Sequence, residues 1–242
     1  MNVQGPILST TALEKRFGGV LAVAGVDFTL YPGELRCLIG PNGAGKSTFF
    51  KMVTGQLKPT GGEIRIEGRD MLNAEPHEIA NRGVGIKNQV PDVMNGLSVR
   101  ENLWLAAASR QKGAEIRRAV HRVADRLSLT AILDRLVGEL AHGQRQWVEI
   151  GMVIVCEPKI VLLDEPAAGM SDDETELTAE LIREINRDMT IVVVEHDMQF
   201  IRQIARTVTV FHQGRILIED TFDRVAADPT VREVYLGRSG GL

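Results

Sequence analysis

The sequence predicts an α/β fold with a mostly parallel sheet, an antiparallel β-lobe and an inserted α-helical lobe. Three observations carry that expectation. Runs of four or five residues that are apolar at nearly every position recur along the chain, separated by helical segments. Shorter pieces near the start alternate apolar and polar residues instead. Strand signals then vanish over residues 91–140.

Taken in chain order, Leu8 to Leu30 is short and alternating. Ala22-Val23-Ala24 and Val26 to Leu30 read as strand pieces broken by Gly18-Gly19 and Gly25, and Glu63 to Gly68 continues the pattern after Pro59-Thr60-Gly61-Gly62. Such alternation suits half-exposed antiparallel strands. Leu35 to Ile39, Ile160 to Leu163, Ile191 to Val194 and Val208 to Phe211 are apolar at nearly every position, as strands buried on both faces of a parallel sheet are. Helical segments between them, such as Glu174 to Asn186, make βαβ units. Within 91–140, Ser98-Val99-Arg100-Glu101 is a capping box that opens a helix over 102–109, and a second helix covers 114–127. The expected organisation is a single domain over 1–242. Its core and β-lobe lie in 1–90 and 141–242, and the helical lobe in 91–140.

Composition narrows the function. The chain has 242 residues, 44% hydrophobic and 25% charged, which supports a sizeable buried core and excludes global disorder. Aromatics at 5% leave too few rings for a single-strand stacking platform, and a net charge of −4 lacks the footprint of a nucleic-acid binder. The local exception is Arg110, Lys112, Arg117, Arg118, Arg122 and Arg126, which reads as a solvated helix face or as a docking surface for an acidic partner. Cys37 and Cys156 lie in apolar stretches and read as small buried hydrophobes rather than as a disulfide or metal framework. No secretory pattern opens the sequence, and its apolar runs, such as Leu103 to Ala108, fall far short of the roughly 20 residues of a membrane span. The expected compartment is the cytosol.

Chemistry enters at Gly40-Pro41-Asn42-Gly43-Ala44-Gly45-Lys46-Ser47, which fits the phosphate-binding pattern G-x-x-x-x-G-K-[ST] directly after the Leu35–Ile39 run. Glycines let successive N–H groups turn inward as an anion nest, and a following helix N-terminus reinforces it. Lys46 can reach the β- and γ-phosphates, the Ser47 hydroxyl can join the shell of a Mg²⁺ ion, and Thr48 stands on the α-phosphate side. The core is therefore expected to be a P-loop NTPase core. A second motif is Ile160-Val161-Leu162-Leu163-Asp164-Glu165, an apolar run delivering two carboxylates at a strand end, where ligands of open α/β sheets bind. Asp164 is the candidate holder of Mg²⁺, and Glu165 the candidate that orients and partly deprotonates an attacking water.

These residues resemble the nucleotide-binding subunit of ATP-binding cassette (ABC) transporters, and the likeness covers essentially the whole chain. The family signature Leu-Ser-Gly-Gly-Gln corresponds to Leu140-Ala141-His142-Gly143-Gln144. His196 stands where the family has its switch histidine, Gln89 where it has its Q-loop glutamine, and Phe17 where an aromatic stacks on adenine. Without the motifs, His196 reads as an ordinary strand-end histidine, Gln89 as a loop residue and Phe17 as a cap on the β-lobe. His77, His121 and His212 have no partners at ligand spacing. Ala141 removes the signature hydroxyl, and Ser171 stands where the family commonly has aspartate.

The resemblance implies ATP and Mg²⁺ as cofactors, with Lys46, Glu165 and His196 catalytic. Ser47, Gln89 and Asp164 are implied as metal holders. Nucleotide contacts are implied at Phe17, Gly40 to Thr48 and Gln89, and at Ala141 to Gln144 for the opposite subunit's ATP. It further implies a dimer, usually with a second, related ATPase chain in this class, with a homodimer as the alternative. Integral-membrane permease subunits gripped by the helical lobe are also implied, with a substrate-binding protein acting indirectly and the chain peripheral on the inner membrane face. Within the family the chain resembles the branched-chain amino acid and urea importers. Residues 99–103, 194–198 and 233–237 carry that likeness, and 141–152 and 168–175 most resemble the urea-type subunit. The expectation is thus an ATPase energising urea import, with a branched-chain amino acid or short-amide importer as the alternative. A soluble ABC ATPase is a rival, but those usually carry two cassettes or long insertions. A GTPase would need [NT]-K-x-D, and no lysine here follows Asn or Thr. Lys46, Glu165 and His196 argue against a non-catalytic subunit.

Overall fold

The structure is a computed structural model and describes residues 5–88 and 93–236. In chain order its first elements are β1 (Leu8–Phe17), β2 (Val20–Leu30), β3 (Leu35–Ile39), α1 (Lys46–Val53), β4 (Gly61–Ile66), β5 (Arg69–Asp70), α2 (Pro76–Asn81) and β6 (Val84–Lys87). The helices α3 (Val99–Ala108), α4 (Ala114–Arg126) and α5 (His142–Ile154) follow. Then come β7 (Ile160–Asp164), α6 (Asp172–Ile185), β8 (Thr190–Val194), α7 (Met198–Ile204), β9 (Thr207–His212), β10 (Arg215–Asp220), α8 (Phe222–Ala227) and α9 (Pro229–Leu236).

Two sheets form. One is antiparallel, in the order β2-β1-β4-β5; the other runs β10-β9-β3-β8-β7-β6, with β10 antiparallel and its other neighbours parallel. The period-2 alternation of a strand sorts the parallel sheet's side chains between two cores. Leu35, Cys37, Ile39, Val161, Leu163, Ile191 and Val193 face one cluster shared with α3 to α7. Leu38, Ile160, Leu162, Val192, Val194 and Phe211 face a second cluster shared with α1 and the antiparallel sheet. Being covered on both faces is why these strands carry apolar residues at successive positions.

The structure corrects the reading of residues 20–30. Gly25 does not break the strand: it is the extra residue of a bulge within β2, at φ +72°, where the register steps from Leu13↔Val26 to Glu14↔Ala24. Only Gly18-Gly19 interrupts, as the turn between β1 and β2. Three strands, β5, β6 and β10, lie outside the expected set, β5 being only two residues long. β6 has Gly85 inside it, where a Cβ would lie 2.6 Å from Val153 Cγ1, and β10 alternates as an antiparallel edge.

Helix boundaries follow their caps. Ser98 and Glu101 form the reciprocal box at the start of α3, so the helix begins at Val99 rather than at the expected 102, the box residues after Ser98 being its first turn. Ser171 and Glu174 form another at the start of α6. α5 packs against both α3 and α4, and their buried residues join the same cluster as the parallel sheet. Cys37 is buried as expected, whereas Cys156 is only partly so, its thiol donating to the Ala106 carbonyl at 3.4 Å where α3 passes. On the basic α4 stretch, Arg117, Arg118 and Arg122 are exposed, Arg122 pairs with Glu157, and Arg126 pairs with Asp188.

Candidate active site

The phosphate loop leaves β3 at Ile39 and ends where α1 begins. Two of its glycines are forced by close backbone approach. At Gly40, φ +146°, a Cβ would lie 2.2 Å from the Phe211 carbonyl oxygen, and at Gly45, φ +104°, 2.5 Å from that of Ala22. Gly43, at φ +78°, has open space around it and needs glycine only for its conformation. Hydrogen bonds clamp the loop: Gly214 donates its N–H to the Ala44 carbonyl at 2.9 Å, while the Gly214 carbonyl accepts from Ala24 at 2.8 Å. Behind it, Phe49 of α1 is buried with its ring 5.3 Å from both Phe28 and Phe211. Aromatic contacts of that kind contribute about 0.5–1.5 kcal/mol each beyond their buried area, so the helix is anchored one turn past the loop.

Lys46 Nζ reaches back over the loop and donates to the carbonyls of Gly40 at 2.5 Å and Pro41 at 3.2 Å. Burial lowers its pKa, and the charges of Glu165 and Asp164 oppose that shift. The ammonium therefore stands between the nest and the end of β7. Ser47 is exposed in the first turn of α1, and Thr48 is half-buried beside it.

β7 delivers Asp164 half-buried at its C-terminal end; burial first, then the neighbouring Glu165 charge, raises its pKa. Glu165 turns the chain sharply, at φ +47°, with its N–H bonded to the Val194 carbonyl at 2.9 Å. A non-glycine residue held there costs on the order of 1–3 kcal/mol and persists because its surroundings fix it. The turn places Glu165 Oε1 3.5 Å from Nδ1 of His196. The His196 side chain is 65% exposed, so its ring is open to a ligand. Asp197 fixes the backbone after it by capping α7, accepting from Gln199 N at 2.8 Å and Phe200 N at 3.2 Å. Lys46, Asp164, Glu165 and His196 thus come together at the C-terminal edge of the parallel sheet.

The signature segment is built elsewhere. Ala141 is the N-cap of α5, its N–H accepted by Gln144 Oε1 at 3.3 Å, but it has no side-chain oxygen to return a cap. His142 Nε2 lies 3.0 Å from the Ala168 carbonyl and 3.4 Å from Gln146 Nε2. Gly143 is buried, and a Cβ there would lie 2.4 Å from the Glu174 carboxylate. The segment therefore rests on 168–174 of its own chain rather than on the phosphate loop. Phe17 ends β1, 49% exposed, with Lys15 Nζ 5.2 Å from its ring centre. Gln89 lies outside the described residues. His77 and His121 are exposed and His212 half-buried.

The residues present fit Mg²⁺ with a nucleotide. A hydroxyl at Ser47 and a carboxylate at Asp164 are hard oxygen donors flanking the nest, and Mg²⁺ is commonly held by one or two side chains plus phosphate oxygens. Among the described residues no group of three or more His, Cys, Asp or Glu could hold a metal by itself. Sequence reasoning missed two buried features. Glu195, beside His196, accepts backbone N–H groups, and Lys87 at the end of β6 lies 3.6 Å from Glu149 of α5. An acid or a lysine at the edge of an apolar run is ordinarily solvated, so only proximity to His196 pointed to the first, and nothing pointed to the second.

A glycine-forced phosphate cradle with a lysine, two strand-end carboxylates and a histidine defines a nucleoside-triphosphate hydrolase of the P-loop class. The family described as ABC transporter matches residues 23–168. The chain is 34% identical over 253 residues to the high-affinity branched-chain amino acid transport ATP-binding protein BraF of Pseudomonas aeruginosa, covering 97% of this chain and 99% of that protein. It is 36% identical over 252 residues to the corresponding protein LivG of Escherichia coli, with 97% and 99% covered. A crystal structure of an ATP-binding cassette of an ABC transporter, in an ADP conformation, superposes with a TM-score of 0.89 at 29% identity, over 96% of this chain and 99% of that one. The chain belongs to the ABC transporter family, as an ATP-binding, transport-coupled ATP hydrolase.

Proposed function

We propose that this chain powers the import of branched-chain amino acids. Its ATP would sit on the 40–48 loop, with Lys46 neutralising the β- and γ-phosphates. Ser47 and Asp164 would hold Mg²⁺, which when bound draws charge from the phosphate oxygens. Glu165 would accept a proton from the attacking water while His196 steadies the γ-phosphate, and Phe17 would lie against adenine. The observation that carries this reading is the convergence of Lys46, Asp164, Glu165 and His196 at one sheet edge.

The signature residues Ala141 to Gln144 would serve the ATP of a second, related ATPase chain, because in their own chain they pack on residues 168–174. Ala141 weakens that contact by lacking a hydroxyl, and the N–H groups at the start of α5 remain to bind phosphate. Gln89 would link phosphate occupancy to the helical lobe. The permease would dock in the cleft of about 450 Å³ between α2, α3, α5 and β6, lined by Ala80, Ile86, Ala106, Met152 and Val153. No helix among the described residues is long and apolar enough to cross a membrane, so attachment to the inner face would run through that contact.

The cargo rests on similarity alone, since the substrate does not touch this subunit. The patterns of 141–152 and 168–175 point to urea. Both relatives named above, matched over nearly their whole length, are ATP-binding proteins of high-affinity branched-chain amino acid transport, which supports the alternative. Uptake of labelled leucine and labelled urea is measured in cells whose copy carries Glu165→Gln. Loss of leucine uptake alone is expected; loss of urea uptake alone would overturn the cargo.

A further inference from the structure

We propose that Glu195 is a positioning residue that holds His196 and the loop after Glu165 in one arrangement. The inference rests on the reading of Glu165 and His196 as the hydrolytic pair.

Glu195 follows the last residue of β8 and is 2% exposed, although it is an acid. Its own N–H is tied to the Leu38 carbonyl at 3.2 Å, which fixes the backbone to β3. One carboxylate oxygen accepts from Ala167 N at 3.3 Å. The other accepts from His196 N at 2.9 Å and Asp197 N at 3.5 Å, and lies 3.7 Å from His196 Nδ1. The two oxygens therefore serve two loops. One loop carries His196. The other, 166–171, leads from Glu165 to the cap of α6 at Ser171, passing Ala168, whose carbonyl meets His142.

Burial penalises such a carboxylate unless donors surround it, and here the donors are backbone groups at the hydrolytic edge. The cost is offset only while both loops keep this arrangement, so Glu195 favours it over others. The ring of His196 has Glu165 Oε1 at 3.5 Å and Glu195 Oε2 at 3.7 Å on the same nitrogen. Both carboxylates approach the ring on its Nδ1 side, which leaves Nε2 to meet a phosphate. A third group orienting a histidine is the arrangement by which hydrolytic sites fix a ring's tautomer and direction.

ATP turnover by the full chain is measured for Glu195→Ala, Glu195→Gln, His196→Ala and the Glu195→Ala/His196→Ala pair. Glu195→Ala is expected to lower kcat about 10- to 100-fold with KM for ATP within about twofold, because it disturbs orientation rather than binding. Glu195→Gln keeps one acceptor oxygen and recovers part of the loss. The double variant is expected to lose clearly less than the product of the two single losses, since part of the Glu195 effect runs through that ring and the rest through the 166–171 loop. Multiplying losses in the double variant, or a raised KM with unchanged kcat, would overturn the proposal. If Glu195→Ala does not fold, Glu195→Gln paired with His196→Ala makes the same comparison. Unchanged turnover in His196→Ala would instead remove the reading of the site itself, and this inference with it.

Discussion

The two ends of the cassette's nucleotide chemistry are built in opposite ways. The phosphate loop is fixed by its surroundings: Gly40 and Gly45 approach the Phe211 and Ala22 carbonyls so closely that no side chain fits, and Gly214 clamps the loop to β2. At the signature, α5 opens on an alanine without a cap, and His142 and Gln144 are largely exposed or half-buried. The first region carries its lysine, carboxylates and histidine within one chain. The second presents a helix start that, among the described residues, rests on Ala168 and Glu174 of the same chain. The difference teaches that the phosphate-loop half is assembled within this chain, whereas under the proposed function the signature half would act opposite a second subunit.

That contrast can be broken most sharply at Gly40. Gly40→Ala sets a Cβ 2.2 Å from a backbone oxygen, and the expected cost is about 2 kcal/mol or more, a drop of about 4–8 °C in Tm for a chain of this size, with ATP binding lost. Thermal unfolding and equilibrium titration check both; an unshifted Tm would mean the loop is not packed as described. Lys46→Ala removes the ammonium that now satisfies the Gly40 and Pro41 carbonyls, and ATP affinity should fall about tenfold or more, or about 1.4 kcal/mol. Unaltered binding by calorimetry would remove the loop from the site. The smallest effect lies at the other end and has the opposite sign. Ala141→Ser supplies the missing cap of α5, and a gain of about 0.5–1 kcal/mol should raise Tm by about 1–4 °C. A fall in Tm would show that the start of α5 is constrained by something other than its cap.

How much of this was legible follows from what each residue needs. β3, β7, β8 and β9 announced themselves because strands covered on both faces cannot alternate, and Ser98 with Glu101 marked the start of α3 because the box is local chemistry. The phosphate loop was legible for the same reason: its glycines answer to backbone geometry. Gly25 misled because a bulge and a break carry the same residue, and only the partner strand distinguishes them. β6 was hidden by its length and by Gly85, which is small to admit Val153 of α5. Glu195 was invisible as a buried group because its donors, Ala167, His196 and Asp197, are backbone N–H groups that exist at every position and become special only in space. The cargo was the least legible, since only the likeness of the whole chain to its relatives bears on it.

The most direct test of the account measures ATP binding and ATP turnover in Glu165→Gln. Glu165 adjoins Asp164 and lies 3.5 Å from His196 Nδ1, so the variant keeps the phosphate loop, Lys46 and the metal-side carboxylate intact. The account predicts ATP binding within a few-fold of the unaltered chain, turnover reduced by about 100-fold or more, and dimers that accumulate with ATP. Turnover at the unaltered rate would contradict it, and would move the water-activating group away from the end of β7.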